Sequence, residues 1–309
     1  MIREKKKYKQ KTKCVDVNNL HTLKKNLVIL VLCVFPFVFF SGIINASDNN
    51  VAIGGRSAGI GNASVTLNDF WSVHNNQAGL AGYDQISAGF YYENRFLVKE
   101  LGRSAGAFIL PTKSGVFGLN FNYFGYSQYN EKKIGLAYAR AFGKYFSAGI
   151  QLDYLSTAIA EDYGSKSSVT FEIGVRSEIT ENLVVAAHVF NPIRVKLEAE
   201  FDERIPVIFK FGASYSISEK LIIAVETEKD TDFKPLFRGG IEYIIIEQAT
   251  VRIGYSTMPS TTGSDNFNIA SVYTFGFGLH FKKLLIDFSA SVHQTLGWSP
   301  QVSFIYTFK

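Results

Sequence analysis

The chain has 309 residues, 27 of them phenylalanine and 16 tyrosine, and its formal net charge is +5. Residues 1–46 hold nine Lys or Arg and two Asp or Glu, which leaves 23 basic and 25 acidic residues in the remainder. The basic character therefore belongs to the N-terminus and gives no support to a nucleic-acid partner, which needs a basic patch on the folded domain. Both cysteines, Cys14 and Cys33, lie in the same stretch. This excludes disulfides, thiol catalysis and cysteine-based metal sites from the rest of the chain.

A basic stretch, an apolar run and a small-residue end follow one another at the N-terminus. Lysines dominate the start, residues 27–40 are mostly apolar, and Ala46 is the small residue at the end. This order predicts a secretory signal peptide over 1–46, with cleavage after Ala46 or, alternatively, after Gly42. The other interpretation is an uncleaved membrane anchor. Pro36 helps to shorten the apolar run below the ~18 to 20 residues that a spanning helix needs, which favours the signal peptide.

Residues 51–81 are the only part of the chain after this leader that does not alternate like a β-strand. Small residues dominate their first part, and an Asn-Asn-Gln cluster, which favours turns and caps, comes later. Glycine has no Cβ and tolerates positive φ, which suits a segment threaded through a confined space. We therefore predict that residues 47–82 form a plug inside a barrel. The motif residues of this plug are Gly54, Gly55, Arg56, Gly59, Gly61, Asp69, Asn75 and Asn76.

From residue 83 onward the sequence breaks into segments of about ten residues in which apolar and polar side chains alternate. Fourteen segments are predicted, near 84–93, 102–110, 115–124, 132–142, 145–157, 167–178, 182–190, 206–217, 220–229, 234–245, 248–257, 270–281, 283–292 and 299–308. Short connections alternate with longer ones, which we place at 94–101, 125–131, 158–166, 191–205, 258–269 and 293–298. Residues 83–309 are thus predicted to form an all-β, transmembrane antiparallel barrel with periplasmic turns and extracellular loops.

A soluble β-sandwich would also alternate, but its apolar side chains would face a core and its polar ones water. Here one face is aromatic and aliphatic, as in Tyr273, Phe275 and Phe277, while the other mixes Gly, Ser, Lys, Glu and Arg. Such a mixed face makes a poor core but a reasonable wet or plugged lumen. The alternation therefore favours the barrel.

Charged residues at lumen-facing positions are candidates for contacts inside the barrel: Asp153, Glu172, Arg176, Glu226, Arg238, Glu242, Arg252 and Asp287. They fit two arrangements, which the sequence leaves open. One is an internal ion-pair ladder, with the residues from Glu226 to Arg252 alternating on one side and Asp153, Glu172 and Arg176 on the other. The second is a polar conduction path. The small neighbours of Arg56 supply no counter-charge, so we expect it to pair with an inward carboxylate: Glu172, Glu226, Glu242 or Asp287.

The predicted plug carries a recognisable pattern. It reads GGRSAGIGNASV over 54–65, then Asp69, then WSVHNNQAGL over 71–80. This pattern resembles the N-terminal motif of the PorV/PorQ family, Bacteroidetes outer-membrane barrels similar to the FadL long-chain fatty acid transporters. Gln77 stands where the family usually has proline, and Phe70 where it often has a second acidic residue. The resemblance implies a bacterial outer-membrane location, and relatives serve in hydrophobic-compound uptake and in type IX secretion.

Signatures of catalysis are missing from the sequence. No histidine pair has metal-ligand spacing, and the glycines of 54–61 lack the preceding strand and the following Gly-Lys-Ser/Thr of a phosphate loop. Ser291 and His293 point to the same face of a predicted strand, but no acidic residue is placed to orient them. We therefore expect neither an enzyme nor a cofactor.

Two functions remain. The first is a FadL-like barrel that passes small hydrophobic molecules through the outer membrane past the plug; the alternative is a non-enzymatic shuttle or anchor of type IX protein secretion. Transport predicts an apolar pocket between plug and wall, whereas docking predicts an exposed apolar loop surface. Loop 191–205 is charged and loop 258–269 is rich in Ser, Thr and Gly, which favours transport. The expected partners are outer-membrane lipid, a small hydrophobic ligand and, in the alternative, secretion-system or secreted proteins.

Overall fold

The computed structural model describes residues 51–160, 164–196, 204–231, 233–260 and 268–308. The predicted signal peptide, 1–46, and the first residues of the predicted plug, 47–50, lie outside this part of the chain. The described chain begins with two short helices, α1 (Gly55–Gly59) and α2 (Ser72–Asn75), and the 3-10 helix η1 (Gln77–Gly82). Among the described residues, no helix is long and apolar enough to cross a membrane.

The described residues then form fourteen antiparallel strands that close into a barrel. Each strand pairs with its neighbours in sequence, and pairing of β1 with β14, from Ser87↔Thr307 to Glu93↔Gln301, completes the ring. The strands are β1 (Ser87–Asn94), β2 (Gly102–Thr112), β3 (Gly115–Gly125), β4 (Tyr129–Ala141), β5 (Phe146–Ile159), β6 (Ser165–Glu178), β7 (Leu183–Phe190), β8 (Ile208–Ser218), β9 (Leu221–Asp230), β10 (Leu236–Ile246), β11 (Ala249–Ser260), β12 (Asn268–Phe281), β13 (Leu284–His293) and β14 (Gly297–Thr307). The predicted closed antiparallel barrel of fourteen strands is confirmed.

The two ends of the barrel differ in their connections. At one end, here called the short-turn rim, the connections are 113–114, 142–145, 179–182, 219–220, 247–248 and 282–283. At the other end, the loop rim, residues 191–207 join β7 to β8, although 197–203 lie outside the described residues. The β1–β2 connection at the loop rim holds two 3-10 turns, η2 (Arg95–Leu97) and η3 (Lys99–Leu101).

Two of the predicted long connections are wrong. The connections expected at 125–131 and 293–298 span only 126–128 and 294–296. In both hairpins the ladder continues further than the apolar alternation does, since Gly125 still pairs with Asn130 and His293 with Gly297. Pairing in the ladder satisfies the hydrogen bonds of the backbone groups. The strands therefore extend into polar residues whose composition is typical of a loop.

The wall presents opposite chemistry on its two faces. Large apolar side chains face outward and remain exposed, for example Phe237 at 59%, Leu136 at 57% and Tyr273 at 53%. Inward positions hold glycine, small polar residues and buried charges. A soluble sandwich would place the apolar face inside, so that alternative is wrong.

The register at the closing seam can be tested with cysteines, since residues 47–309 contain none. Phe90 and Phe304 are directly opposed and both are exposed on the outer face. We expect Phe90→Cys combined with Phe304→Cys to oxidise to an intramolecular disulfide, because opposed Cβ atoms lie about 4.5–5.5 Å apart. Peptide mass spectrometry after oxidation measures the yield.

The matched control combines Phe90→Cys with Tyr306→Cys. This pair keeps the outward face but shifts the register by two residues, which separates the Cβ atoms to about 7 Å. It should stay reduced under the same conditions. Efficient oxidation of this control, with none in the test pair, would contradict the seam.

Candidate functional site in the barrel lumen

Residues 51–82, here called the inner segment, lie against the inward face of the wall. α1 packs against β12 and β13, and η1 packs against β4 and β5, nearly opposite in the ring. Trp71, Val73 and Leu80 are fully buried and join one apolar cluster with wall residues such as Tyr91. The inner segment therefore contacts opposite sides of the lumen.

A ring of inward glycines receives the inner segment. A Cβ built on any of them would come within 3.0 Å of an atom of that segment. These glycines, here called the glycine belt, lie on eight strands: Gly89, Gly118, Gly149, Gly174, Gly212, Gly240, Gly254 and Gly276. Even one methyl group would thus obstruct the segment, so the belt fixes the depth at which it crosses the barrel.

The four motif glycines complete this close contact from the other side. A Cβ on Gly55, Gly59 or Gly61 would come within about 3.0 Å of wall atoms, several of them backbone. A Cβ on Gly54 would instead collide with the ring of Trp71, within the segment itself. Gly54 and Gly61 also have φ of +110° and +70°, conformations that residues with a Cβ rarely adopt.

Arg56 connects the inner segment to a chain of buried charges. Its Nε and Nη2 donate to the two carboxylate oxygens of Glu242 at 2.8 and 2.7 Å, and its Nη1 lies 3.2 Å from Asp69. Glu242 also accepts from Arg252 at 2.6 Å, and Arg252 donates to Asp287 at 2.6 Å. The inward carboxylate expected from sequence is thus Glu242. Asp69, a counter-charge within the segment itself, was missed because it lies thirteen residues away in sequence.

The charge states of the inner segment follow from burial and its neighbours. Burial would lower the pKa of Arg56, but the carboxylates of Glu242 and Asp69 outweigh it and the net direction is upward. Burial raises the pKa of Asp69, and Arg56 opposes that shift. Burial lowers the pKa of His74 to about 3, with Lys133 adding to the effect. His74 is therefore neutral at physiological pH.

Glu226 binds the backbone of the inner segment directly. One of its carboxylate oxygens accepts the N–H groups of both Ser64 and Val65 at 2.8 Å, and the other accepts from Arg238 at 2.8 Å. Arg238 also reaches Glu228 at 2.9 Å. On this side of the barrel, acidic and basic side chains on neighbouring strands pair with one another, in the alternating order expected from sequence.

On the opposite side, Glu172 is the centre of a second buried network. It accepts from Lys133 at 2.8 Å and from Gln77 of the inner segment at 2.7 Å, and it lies 2.9 Å from Nε2 of His188. Asp153 accepts from Gln151 at 2.8 Å. Lys133 and His188 are not among the residues predicted from sequence, although their positions on the inward face beside Glu172 were a signal in the alternation.

The predicted ladder of Asp153, Glu172 and Arg176 is not what forms. Arg176 donates instead to Glu178 at 3.0 Å and to the carbonyl of Thr66 at 3.0 Å. Arg176 and Glu172 are four residues apart on one strand, which separates them by about 13 Å. Opposite charges pair across strands at equal depth, and Arg176 lies too close to the short-turn rim.

The two motif asparagines hold the inner segment in shape. Asn75 accepts from the backbone of Ile53 and donates to its carbonyl, both at 2.9 Å, and it donates to Ser57 at 3.0 Å. Asn76 donates to the carbonyl of Val65 at 2.7 Å. These bonds cross-link stretches 11 to 22 residues apart, as a compact segment without regular secondary structure requires.

A cavity of about 190 Å³ lies between the inner segment and the loop rim. Val51, Ala52 and Asn62 contribute to it from the inner segment, while Phe96 and Phe233 line it from loop-rim connections. Its remaining lining comes from Arg95 of the β1–β2 connection and from the loop-rim ends of β1 and β8 to β14, and it mixes apolar with polar side chains. This space can hold a small molecule, and the inner segment separates it from the short-turn rim.

Ser291 and His293 both line this cavity, as their shared strand face predicted. Ser291 accepts a hydrogen bond from Gln301 at 2.9 Å. Nδ1 of His293 accepts the backbone N–H groups of Thr295 and Leu296, each at 3.1 Å. Within the described ranges, no group of three or more His, Cys, Asp or Glu is placed to hold a metal ion.

Two adjacent glycines on β10 test the glycine belt. A Cβ on inward Gly240 would lie 2.5–2.6 Å from the backbone of Ile60, whereas one on outward Gly239 would meet nothing nearer than 3.4 Å. We expect Gly240→Ala to dislodge the inner segment and speed proteolysis within 51–82, because backbone atoms cannot move aside singly. Gly239→Ala should leave the proteolysis rate near that of the parent. Equal rates in both variants would contradict the belt.

Removing Arg56 tests the charge chain. Arg56→Ala leaves Glu242 paired with Arg252 but takes the ion-pair partner from Asp69, so we expect destabilisation of the inner segment by the ~3–5 kcal/mol of breaking a buried pair. The wall should still assemble, because its ladder hydrogen bonds do not involve the segment. Hydrogen exchange of 51–82 measures the first effect and barrel migration without boiling the second. Exposed Arg140→Ala is the control; loss of the whole barrel in Arg56→Ala would refute this role.

The sequence matches no protein-family model and no curated protein, but the structure matches solved barrels. The CymD monoaromatic hydrocarbon channel has a TM-score of 0.65 at 13% identity, covering 85% of this chain and 99% of that one. The toluene transporter TbuX of Ralstonia pickettii gives 0.62 at 12% identity, covering 84% and 100%. A FadL homologue of Pseudomonas aeruginosa gives 0.60 at 12%, covering 87% and 100%. Identities this low show the fold alone, and that fold is the FadL-like fourteen-stranded barrel.

Proposed function

We propose that this protein is a non-enzymatic outer-membrane barrel that passes small hydrophobic molecules, with the inner segment acting as its plug. The FadL-like fold supports this proposal, since CymD is described as a channel and TbuX as a transporter. The exposed aromatic and aliphatic outer face supports placement in a bilayer. Export by a cleaved signal peptide over 1–46 is part of the same proposal and rests on the leader sequence.

The observation that carries the proposal is the unequal attachment of the two halves of the inner segment. Residues 70–82 pack their apolar side chains into the wall and continue directly into β1. Residues 51–69, here called the polar half, contact the wall through Arg56 and Glu242, the backbone of 64–65 and Glu226, and Gly59, Gly61 and the hydroxyl of Thr274. They also make smaller apolar contacts: Ile53 joins the cluster of 70–82, and Ile60, Ala63 and Leu67 pack with Ala224. The two halves thus differ in degree, because the bulkiest buried rings of the segment, Phe70 and Trp71, lie in the half that continues into the wall, here called the anchored half.

The half held by polar contacts is also the half that borders the cavity. Val51, Ala52 and Asn62 all belong to it. Hydrogen bonds and ion pairs can be exchanged for water at small net free-energy change, whereas extracting Trp71 and Leu80 would expose a large apolar area. Displacement of 51–69, with 70–82 as a fixed hinge, would therefore connect the cavity to the short-turn rim and open a path through the barrel.

The alternative is a PorV/PorQ-type component of type IX secretion. It rests on the sequence pattern of 54–80, and family membership stays a prediction. In this alternative the inner segment is a permanent internal brace, and the barrel docks protein partners at its rims. The same experiment separates the two functions, because a brace need not move.

Two matched disulfide staples test whether the polar half moves. A Cβ on Gly212 lies 2.6 Å from a γ-carbon of Val65, and a Cβ on Gly118 lies 2.6 Å from a γ-carbon of Val73. Val65→Cys with Gly212→Cys locks the polar half, while Val73→Cys with Gly118→Cys locks the anchored half. Each pair adds a Cβ to a belt glycine, so each oxidised variant is compared with its own reduced form, which carries the same substitutions. We expect the first staple to abolish toluene uptake by outer-membrane vesicles until a reductant is added, and the second to leave uptake unchanged.

Fractionation of the same cells should place the protein in the outer membrane. Absence of toluene uptake by the parent protein would refute transport. A concurrent loss of secreted proteins on gene deletion would favour the secretion alternative. Uptake that persists when the Val65–Gly212 staple is fully oxidised would show that transport does not require movement of residues 51–69.

A further inference from the structure

We propose that Phe96 is the specificity-determining residue at the loop-rim entrance of the cavity, a side chain that must swing aside for a molecule to enter. The proposal rests on the proposed transport function, which the cavity serves. It concerns the β1–β2 connection, a stretch without a recognisable sequence motif. Three independent features of that connection carry the inference: its backbone, its contacts and its position.

The backbone at Phe96 is strained. Phe96 has φ 56° and ψ 22°, and Leu97 follows with φ 58°. Left-handed conformations are uncommon outside glycine and Asn, and two consecutive large apolar residues in that region are more unusual still. Such strain persists only where surrounding contacts impose it, and it concentrates at ligand clamps and switches.

The contacts that impose this conformation all come from the cavity lining. The N–H of Phe96 donates to Oγ of Ser299 at 2.9 Å, and its ring meets that of His293 edge-to-face at 5.6 Å. The guanidinium of Arg95 lies 5.4 Å from the centre of the Phe96 ring, and its Nη2 reaches the sulfur of Met258 at 3.9 Å. Phe96 thus contacts β13 and β14 directly and is linked to β11 through Arg95.

The imidazole ring of His293, against which Phe96 packs, is held in one orientation by hydrogen bonds. Its Nδ1 accepts two backbone N–H groups from the β13–β14 connection. Those two bonds hold the imidazole plane and require Nδ1 to be unprotonated. The ring of Phe96 therefore packs against a fixed partner, as a reclosing gate needs.

Leu97 shows that the strain serves Phe96. It shares the left-handed backbone, but its side chain is 62% exposed and does not line the cavity. An exposed side chain has few contacts that could impose this backbone conformation, so the contacts of the neighbouring Phe96 explain the unusual turn. Leu97 is consequently a control within the same turn.

The contacts also define how the gate opens. Moving residue 96 outward together with its backbone breaks the N–H···Ser299 hydrogen bond, one edge-to-face contact and one cation–π contact, and it lets the two left-handed residues relax. The strain offsets part of the lost contact energy, so the closed position is held only weakly. Larger molecules need a larger displacement, which makes the ring a size filter.

Accessibility of the cavity tests this inference without requiring transport. Ser256 lines the cavity and is buried, and Ser256→Cys places the single thiol of residues 47–309 there. A small methanethiosulfonate reagent is added to the full-length protein in vesicles, and labelling of the peptide containing residue 256 is followed by mass spectrometry. Phe96→Gly in this background removes the ring while tolerating positive φ, so the turn is preserved.

We expect Phe96→Gly and Phe96→Ala to raise the labelling rate roughly tenfold, the scale of losing one aromatic contact and its accompanying bonds. Phe96→Tyr keeps the ring and should restore the parent rate, and Leu97→Ala should match the parent. In uptake assays, Phe96→Gly should increase the rate of biphenyl uptake more than the rate of toluene uptake.

An unchanged labelling rate in Phe96→Gly would overturn the proposal. Equal acceleration in Leu97→Ala would also overturn it, because general loosening of the turn would then be the cause. If the parent takes up neither compound while Phe96→Gly still accelerates labelling, the gate stands and the transport function fails.

Discussion

The contact between the inner segment and the glycine belt is the constraint on which the rest of the lumen depends. At Gly240, Gly254 and Gly276 backbone meets backbone, and at other belt positions, such as Gly118 and Gly212, a side chain of the segment fills the space that a Cβ would take. Close approach fixes the depth of the segment, and that depth decides which charges can meet. Arg56 reaches Glu242, and the amides of 64–65 reach Glu226, only because the glycines let the segment lie directly on the wall. The cavity exists for the same reason, since the segment occupies one level and leaves the space toward the loop rim free.

The buried charges are better understood as positioning elements than as sources of stability. A buried ion pair often contributes little net free energy, since desolvation offsets the attraction, but losing one partner is costly. The ion pairs from Asp69 through Arg56 and Glu242 to Asp287 therefore add little to the stability of the correct arrangement. Any misplaced arrangement of the inner segment would leave a buried charge unpaired, which costs more free energy. That property suits a plug that returns to one position after displacement. An apolar contact of equal area would hold the segment more tightly and specify its position less well.

Apolar and polar attachment are divided along the inner segment, and that division links structure to the proposed function. The anchored half carries Trp71 and Leu80 and is continuous with the wall, whereas the other half borders the cavity. At the entrance of the cavity, Phe96 is held by single contacts over a strained backbone. In the proposed mechanism, the two barriers on either side of the cavity are residues 51–69 and Phe96, and each is held by several separate contacts, while the barrel around them is a closed ladder.

The sequence by itself determined the fourteen strands, their inward and outward faces and the segment that does not belong to the wall, because each follows from local alternation or from the density of small residues. It also indicated that Arg56 needs an inward carboxylate. Which carboxylate was decided only by the tertiary structure, because pairing depends on depth in the barrel, which the register of every intervening strand sets. The same reason explains why Arg176 misses Glu172, why Lys133 and His188 join it, and why Phe96 reaches His293 from a connection without any motif. Alternation is a property of neighbours in sequence; the lumen is built from residues as far apart as Gly55 and Ser303.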